Sequence, residues 1–219
     1  MPSLSSVSVK ICGINSASAA DAVMRAGADF GGLVFFDKSP RNLMLESGAS
    51  LAARMRGKLK LAALVVDADD EMLGRIAAQV KPDYFQLHGK ETPSRAADIL
   101  ARFSIPLIKA LPVAAPGDVA KANDYDMAQM FLFDAAPAEG ATRPGGNAAA
   151  FDWQLMKNAA VTKPWFLAGG LTPDNVGRAI AVSGAAMVDV SSGVESAPGV
   201  KSDTAVEHFV SAARHRSAA

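Results

Sequence analysis

The chain has a single cysteine among its 219 residues, so it cannot form an internal disulfide. We therefore expect it to work in a reducing compartment, the cytoplasm. An excess of one charge is also missing, because 22 Lys and Arg residues balance 22 Asp and Glu residues. No basic stripe predicts a nucleic-acid partner, and no polybasic cluster predicts binding to an anionic membrane.

Long apolar runs are missing as well. No segment reaches the roughly 18 uncharged apolar residues of a membrane span. The first ten residues, MPSLSSVSVK, lack the basic and apolar regions of a secretion signal. Half of the residues are nevertheless hydrophobic, which allows a sizeable core. The composition predicts a soluble intracellular protein with neither a membrane nor a nucleic-acid partner.

Short apolar runs alternate regularly with segments of helical spacing. Runs rich in Val, Leu, Ile and Phe predict strands near residues 7–13, 28–35, 59–66, 83–89, 106–113, 129–135, 164–170 and 186–192. Several of the intervening segments open with Ser, Thr, Asp or Pro, and some close with Gly, as helices do. The predicted helices cover 16–27, 45–57, 67–80, 92–103, 116–125, 150–160, 172–184 and 202–215.

The alternation of strands and helices predicts an α/β fold. A helix between consecutive strands implies a right-handed parallel crossover. Eight such units without a linker predict a single (β/α)₈ barrel domain over residues 1–219, with a parallel eight-stranded core. An open doubly wound sheet is the alternative, but it usually has fewer units. The barrel is favoured.

Polar residues interrupt the apolar strands near their carboxyl ends, often two positions apart. Side chains two apart share one face of a strand, so these pairs would point into the barrel interior. Active sites of such barrels lie at this end. Together with Arg41 from the loop after the second strand, these polar residues would surround one mouth of the barrel. The strand residues are Lys10, Cys12, Gln86, His88, Asp134, Asp189 and Ser191.

Cys12 and Asp134 are a candidate acid–base pair. A thiol is a general base only as the thiolate, so its pKa must be lowered or matched to the operating pH. Lys10 lies about 6.5–7 Å along the same face of the strand, close enough to favour the thiolate. Asp134 would complement it as an acid if burial raised its pKa. Alternatively, Cys12 is a buried packing residue and Asp134 a cap or turn residue.

Two glycine turns after the seventh and eighth strands predict a phosphate site. Gly169 and Gly170 lie in FLAGGLTPDN, and Ser191, Ser192 and Gly193 lie in VDVSSGVE. Glycine lets the backbone approach an anion closely, and N–H groups at helix starts bind phosphate. The loops after strands seven and eight are the usual phosphate cradle of this barrel. The alternative is two ordinary strand-to-helix turns.

Arg41, in the segment FFDKSPRNL, is a candidate anchor for a carboxylate, because a guanidinium forms bidentate hydrogen bonds. An ordinary surface contact is the alternative. His88 and Gln86 either contact the substrate or satisfy one another inside the barrel. His208 and His215 fall in the last helical segment and are expected at the surface. No cluster of His, Cys, Asp and Glu has metal-ligand spacing, so we expect no metal.

The segment PAEGATRPGGNAAA, between Asp134 and Phe151, is unusually long for a barrel connection. Loops of this length are often lids or binding loops, and this one is predicted to close over the substrate. Plain disorder is the alternative.

Eight sequence blocks together resemble the phosphoribosylanthranilate isomerase family. They occur in family order and span nearly the whole chain, and KICGI, SPR, QLHG, GGNAAAFDW and DVSSGVE are specific as a set. The blocks are KICGI, GADFGGLVFFDKSPRNL, VDADD, QLHGKE, LFDA, RPGGNAAAFDW, LAGGLTPDNV and VDVSSGVESAPGVKS. One departure is the run Gly145-Gly146-Asn147-Ala148, where many members end on glycine; alanine limits positive φ and alters the lid's path, not the catalytic pair.

The resemblance implies a (β/α)₈ barrel in tryptophan biosynthesis without a metal or organic cofactor. The implied reaction is an Amadori rearrangement of N-(5-phosphoribosyl)anthranilate to 1-(2-carboxyphenylamino)-1-deoxyribulose 5-phosphate. The implied partner is this small phosphosugar substrate, and monomer and homodimer both stay open.

The resemblance also assigns roles to individual residues. It makes Cys12 the general base, Asp134 the general acid and Arg41 the anchor of the anthranilate carboxylate. The AGGL and SSG turns are assigned phosphate contacts. His88 and Asp189 are predicted among the substrate-binding residues, with roles that the resemblance leaves open.

Two other functions remain as alternatives. The sugar-phosphate isomerase of histidine biosynthesis performs a parallel rearrangement with two aspartates, one at the end of strand one. Cys12 occupies that position here, which argues against it. A non-catalytic phosphosugar-binding barrel would keep the glycine turns while Cys12 merely packs.

Overall fold

Eight parallel strands close into a barrel in the computed structural model, which describes residues 7–136, 151–157 and 159–215. The strands follow one another in chain order around the barrel, and β8 is hydrogen-bonded to β1. They are β1 Ser8–Cys12, β2 Phe30–Phe35, β3 Lys60–Val65, β4 Tyr84–Leu87, β5 Leu107–Val113, β6 Met130–Ala135, β7 Trp165–Leu167 and β8 Met187–Val190. The predicted α/β barrel is confirmed, and the open doubly wound sheet is wrong.

Helices lie between the strands, and four of them have a side-chain cap; three of these caps open the predicted segments, and the third helix starts two residues later than predicted. The side chains of Ser16, Asp69, Thr92 and Ser202 each accept a hydrogen bond from the N–H three residues on. The helices are α1 Ala17–Arg25, α2 Leu45–Met55, α3 Asp70–Gln79, α4 Pro93–Phe103, α5 Gln154–Lys157, α6 Val176–Ser183 and α7 Asp203–Arg214. None of the described helices is long and apolar enough to cross a membrane.

The segment predicted as the fifth helix is a 3₁₀-helix, Pro116–Asp124, rather than an α-helix. The carboxylate of Asp118 accepts hydrogen bonds from the N–H groups of Ala114 and Ala115, which tightens its start. Its buried residues, Val119 and Ala122, lie three apart, as three residues per turn require.

A short antiparallel hairpin, β9 Glu195–Ala197 with β10 Val200–Lys201, follows β8 and was not predicted. Its turn packs against two neighbouring loops. The side-chain amide of Asn15 donates to the carbonyl of Gly199 at 2.8 Å. A Cβ added at Gly199 would lie 2.6 Å from the carbonyl oxygen of Pro40. The hairpin is therefore fixed beside the carboxyl ends of β1 and β2.

The core has two layers. The larger cluster joins strand residues to helix residues such as Val23, Leu51 and Val206, so it lies between barrel and helices. The smaller cluster contains only strand residues or residues directly after a strand and fills the barrel interior. Its buried members are Phe30, Ala62, Ile108, Ala110, Met130, Leu132, Phe166 and Ala168. This packed interior lies directly below the polar residues at the mouth of the barrel.

Candidate active site

The candidate site residues lie at the carboxyl end of the barrel. Cys12 is the last residue of β1, Asp134 is the second-last residue of β6, and His88 directly follows β4. In the closed strand order, two strands, β7 and β8, lie between β6 and β1. The thiol and the carboxyl of the candidate pair are therefore carried on the same rim by strands well apart around it.

Cys12 is 4% exposed and packs against a glycine of the next strand. Gly32 is its register partner on β2, and a Cβ added there would lie 2.8 Å from Cys12 Sγ. Burial raises the pKa of the thiol above its ordinary value, although the charge of Lys10 acts in the opposite direction. Lys10 therefore favours the thiolate, as expected, but desolvation outweighs its effect and the pKa of the thiol lies above its ordinary value.

Lys10 and Asp189 form a buried ion pair beside Cys12. They are register partners on β1 and β8, and Lys10 Nζ donates to Asp189 Oδ1 at 2.6 Å. Their side chains are 0% and 9% exposed. Burial alone would lower the pKa of Lys10, but Asp189 and Cys12 together raise it, so the ammonium stays charged. Asp189 is thus engaged with Lys10, and its role in substrate binding stays a prediction.

Asp134 meets His88 across the interior. His88 Nε2 lies 3.4 Å from Asp134 Oδ2, and Gln86 Nε2 lies 3.0 Å from His88 Nδ1. If the amide donates to Nδ1, then Nε2 carries the proton and faces Asp134 Oδ2 at a distance longer than an ordinary hydrogen bond. A Cβ added at Gly169 would lie 3.0 Å from Asp134 Oδ1. Gln86, His88 and Asp134 therefore form one connected group beside the first glycine turn.

Arg41 is 5% exposed and forms a bidentate ion pair with Glu195. Its Nε and Nη2 atoms donate to Glu195 Oε1 and Oε2 at 2.6 and 2.8 Å. Lys201 Nζ donates to Glu195 Oε1 at 2.8 Å and to the carbonyl of Ser191 at 2.9 Å. Burial would raise the pKa of Glu195, but Arg41 and Lys201 lower it to about 2.

The two glycine turns touch one another. Gly169 and Gly170 have φ values of 85° and 61°, and among described residues their N–H groups find no hydrogen-bond acceptor. A Cβ added at Gly193 would lie 1.8 Å from the carbonyl oxygen of Leu171, so no larger residue fits there. Ser192 and Gly193 begin a 3₁₀-helix, Ser192–Val194, whose first N–H groups lack intrahelical partners. These N–H groups can receive an anion.

The sequence family follows from comparison with known proteins. The family model described as N-(5'phosphoribosyl)anthranilate (PRA) isomerase matches residues 9–212. The chain belongs to this isomerase family. An N-(5'-phosphoribosyl)anthranilate isomerase of Rhodopseudomonas palustris (strain BisA53) is 49% identical over 207 residues, 94% of this chain and 95% of the relative.

Solved structures of the isomerase family agree. The phosphoribosyl anthranilate isomerase of Thermotoga maritima is 32% identical, with a TM-score of 0.84 over 94% of this chain and 98% of that one. A phosphoribosyl anthranilate isomerase in complex with reduced 1-(o-carboxyphenylamino)-1-deoxyribulose 5-phosphate is 31% identical, with a TM-score of 0.81 and the same coverage. The predicted family and enzyme class are confirmed: the chain is an isomerase that performs the Amadori rearrangement of N-(5-phosphoribosyl)anthranilate in tryptophan biosynthesis.

Sequence reasoning missed Glu195 and Lys201. The signal was present in VESAPGVKS, where opposite charges flank a Pro-Gly turn and a hairpin would bring them together. Ser191, predicted as a phosphate contact, donates its hydroxyl to the carbonyl of Cys12 at 3.0 Å. It thereby ties the second glycine turn to the end of β1.

Other predicted features lie outside the site or outside the described residues. His208 and His215 are exposed, as predicted. Within residues 7–136, 151–157 and 159–215, no group of three or more His, Cys, Asp and Glu side chains could hold a metal ion. The predicted lid, and with it the run 145–148, falls on residues 137–150, which are not described.

Proposed function

We propose that Cys12 and Asp134 are the base and acid of the isomerisation in this chain. The observation that carries the proposal is their position on one rim, on β1 and β6, with the two glycine turns after the intervening strands β7 and β8 and Arg41 after β2. A proton must be given to one atom of the substrate and taken from another. Two groups standing apart on the same rim suit that division of work.

Asp134 donates its proton to the ribose ring oxygen, the bond from C1 to that oxygen breaks, and the nitrogen lone pair forms an iminium. The Cys12 thiolate then removes the proton from C2, and the electron pair of that bond neutralises the iminium to give an enolamine. The enolamine gains a proton at C1 and loses the proton of its C2 hydroxyl to give the ketose. Cys12 releases the proton it took and Asp134 regains one, both by exchange with water, so the reaction is a net isomerisation.

Arg41 and the glycine turns provide the orientation. Arg41 receives the anthranilate carboxylate, and the backbone N–H groups of Gly169, Gly170, Ser192 and Gly193 receive the phosphate. The solved relative binds a product analogue that carries a carboxyl and a phosphate group, which supports two anion sites. Because both the carboxylate and the phosphate of the substrate are bound, its C2 atom is held next to Cys12.

His88 and Asp189 act beside the reacting groups in this proposal. His88 positions Asp134 through the contact of 3.4 Å between Nε2 and Oδ2. Asp189 binds the ammonium of Lys10 at 2.6 Å and so keeps it beside the thiol. Lys10, Lys201 and Arg41 all lower the pKa of Cys12 against the effect of burial. This cationic setting makes the thiolate accessible, while a raised pKa makes it the stronger base once formed.

Three further properties belong to the proposal. The whole chain, residues 1–219, acts as one barrel domain on a small phosphosugar. It works in the cytoplasm, which its membership of a biosynthetic family supports.

The test is a fluorescence assay. The anthranilate substrate is generated in situ and its fluorescence is followed after the purified protein is added. We expect wild-type protein to consume the substrate and Asp134→Asn to stop turnover, because the amide has no proton to give to the ring oxygen. A near-normal rate in Asp134→Asn would remove the acid from this proposal.

A further inference from the structure

The carboxylate of Glu195 is saturated by donors from this chain. Oε1 accepts from Arg41 Nε at 2.6 Å and from Lys201 Nζ at 2.8 Å. Oε2 accepts from Arg41 Nη2 at 2.8 Å and from the N–H of Gly199 at 3.1 Å. A carboxylate has about four acceptor sites. Glu195 therefore has no acceptor left for a substrate, and its function must lie in what it holds.

Glu195 holds only one edge of the Arg41 guanidinium. A guanidinium has five N–H donors: one on Nε and two on each Nη atom. The contacts with Glu195 use the edge formed by Nε and Nη2. Nη1 makes no hydrogen bond to any described residue. The other edge, formed by Nη1 and the second Nη2 hydrogen, can thus take a second carboxylate in bidentate geometry.

The aliphatic part of Arg41 is fixed beside the catalytic strand. A Cβ added at Gly13, whose φ is +80°, would lie 2.4 Å from Arg41 Cδ. Gly13 directly follows Cys12, so the arginine crosses the end of β1 where the base stands. Arg41 also lowers the pKa of Cys12, which reports the same proximity.

The charges around Glu195 leave an unmatched cation. Burial lowers the pKa of Lys201, and Glu195 acts against this effect. With Arg41 and Lys201 protonated and Glu195 ionised, the three together carry one net positive charge in a buried setting. A carboxylate arriving on the second edge of Arg41 would neutralise it. A ligand without a carboxylate would leave that charge uncompensated, which is costly away from water.

We propose that Glu195 is a positioning residue that holds Arg41 by one edge, so that the other edge selects substrates carrying a carboxylate on the aryl amine. The proposal rests on the role given to Arg41 under the proposed function. The carboxylate is recognised without breaking any contact already present. Selectivity arises in the hairpin β9–β10, which supplies Glu195, Lys201 and Gly199.

The test compares two ligands in four proteins. The ligands are reduced 1-(o-carboxyphenylamino)-1-deoxyribulose 5-phosphate and its counterpart made from aniline, which lacks the carboxyl group. The proteins are wild type, Arg41→Ala, Glu195→Gln and Glu195→Asp. The inhibition constant of each ligand is measured, and the ratio of the two constants gives the preference for the carboxylate.

Glu195→Gln separates positioning from simple charge balance. This change raises the net charge of the group from one to two, so a mere counter-ion role predicts tighter binding of the carboxylate ligand. We expect the opposite: the preference for the carboxylate falls at least about tenfold, the size of one lost charge-assisted hydrogen bond. An unchanged or increased preference in a folded Glu195→Gln protein would overturn the proposal.

Glu195→Asp keeps the charge but shortens the side chain by one carbon. It cannot reach Arg41, Lys201 and Gly199 together, so we expect the same loss of preference with affinity for the aniline-derived ligand nearly unchanged. If Glu195→Gln fails to fold, this variant decides alone. If Arg41→Ala keeps the full preference for the carboxylate ligand, Arg41 does not bind the carboxylate. If Arg41→Ala loses this preference but both Glu195 variants keep it, Glu195 does not position Arg41.

Discussion

Lys10→Met should destabilise the barrel strongly, because it removes one partner of a buried ion pair. Lys10 is fully buried and lies 2.6 Å from Asp189, whose side chain is only 9% exposed. Without the ammonium, that carboxylate stays buried and uncompensated. Loss of one partner of such a pair costs about 3–5 kcal/mol, against a total free energy of unfolding of roughly 5–15 kcal/mol for a typical domain.

The double variant Lys10→Met/Asp189→Asn tests the physical reason. It removes both charges, so no ion is left unpaired in the interior. We expect it to recover about 2–3 kcal/mol relative to the sum of the two single variants, as coupled neighbours do. Free energies of unfolding from urea titrations of the four proteins give this coupling directly. Additive single effects would refute the view that the pair, rather than each side chain alone, stabilises the barrel.

Two further predictions concern the thiol. Gly32→Ala should lower kcat/KM, because its Cβ would lie 2.8 Å from Cys12 Sγ. Gly31→Ala is the matched control, since the atoms nearest to its Cβ belong to the side chains of Ile14, Leu59 and Met55 and not to Cys12. Equal effects of the two changes on kcat/KM would contradict this. The pH profile of kcat/KM should rise as the base loses its proton, with a midpoint above the ordinary range of a thiol, because burial raises the pKa of Cys12. A midpoint below that range would contradict it.

The barrel and its rim were predictable because they depend on local patterns. Alternating apolar runs and helix caps predict the eight strand–helix units. Two side chains that are two positions apart on a strand, such as Lys10 and Cys12, lie on the same face. Contacts between the first and the last strand, where the barrel closes, were not predictable in the same way. Lys10 meets Asp189 only because β8 closes onto β1 in a particular register.

The rest of the site depended on burial and on contacts between distant segments. Arg41 and Glu195 are 154 positions apart, and the hairpin that carries Glu195 has strands of three and two residues, too short to show a period. The net direction of the pKa shift of Cys12 was not predictable, because the charge of Lys10 is visible in the sequence, whereas the burial that raises the pKa depends on the fold.

Turnover of Cys12→Ala at saturating substrate tests the central claim most directly. The claim is that a thiol on β1 removes a proton that no neighbouring group can remove in its place. We expect kcat to fall by about a hundredfold or more, while affinity for the reduced product analogue stays close to wild type. Turnover equal to wild type would contradict the account.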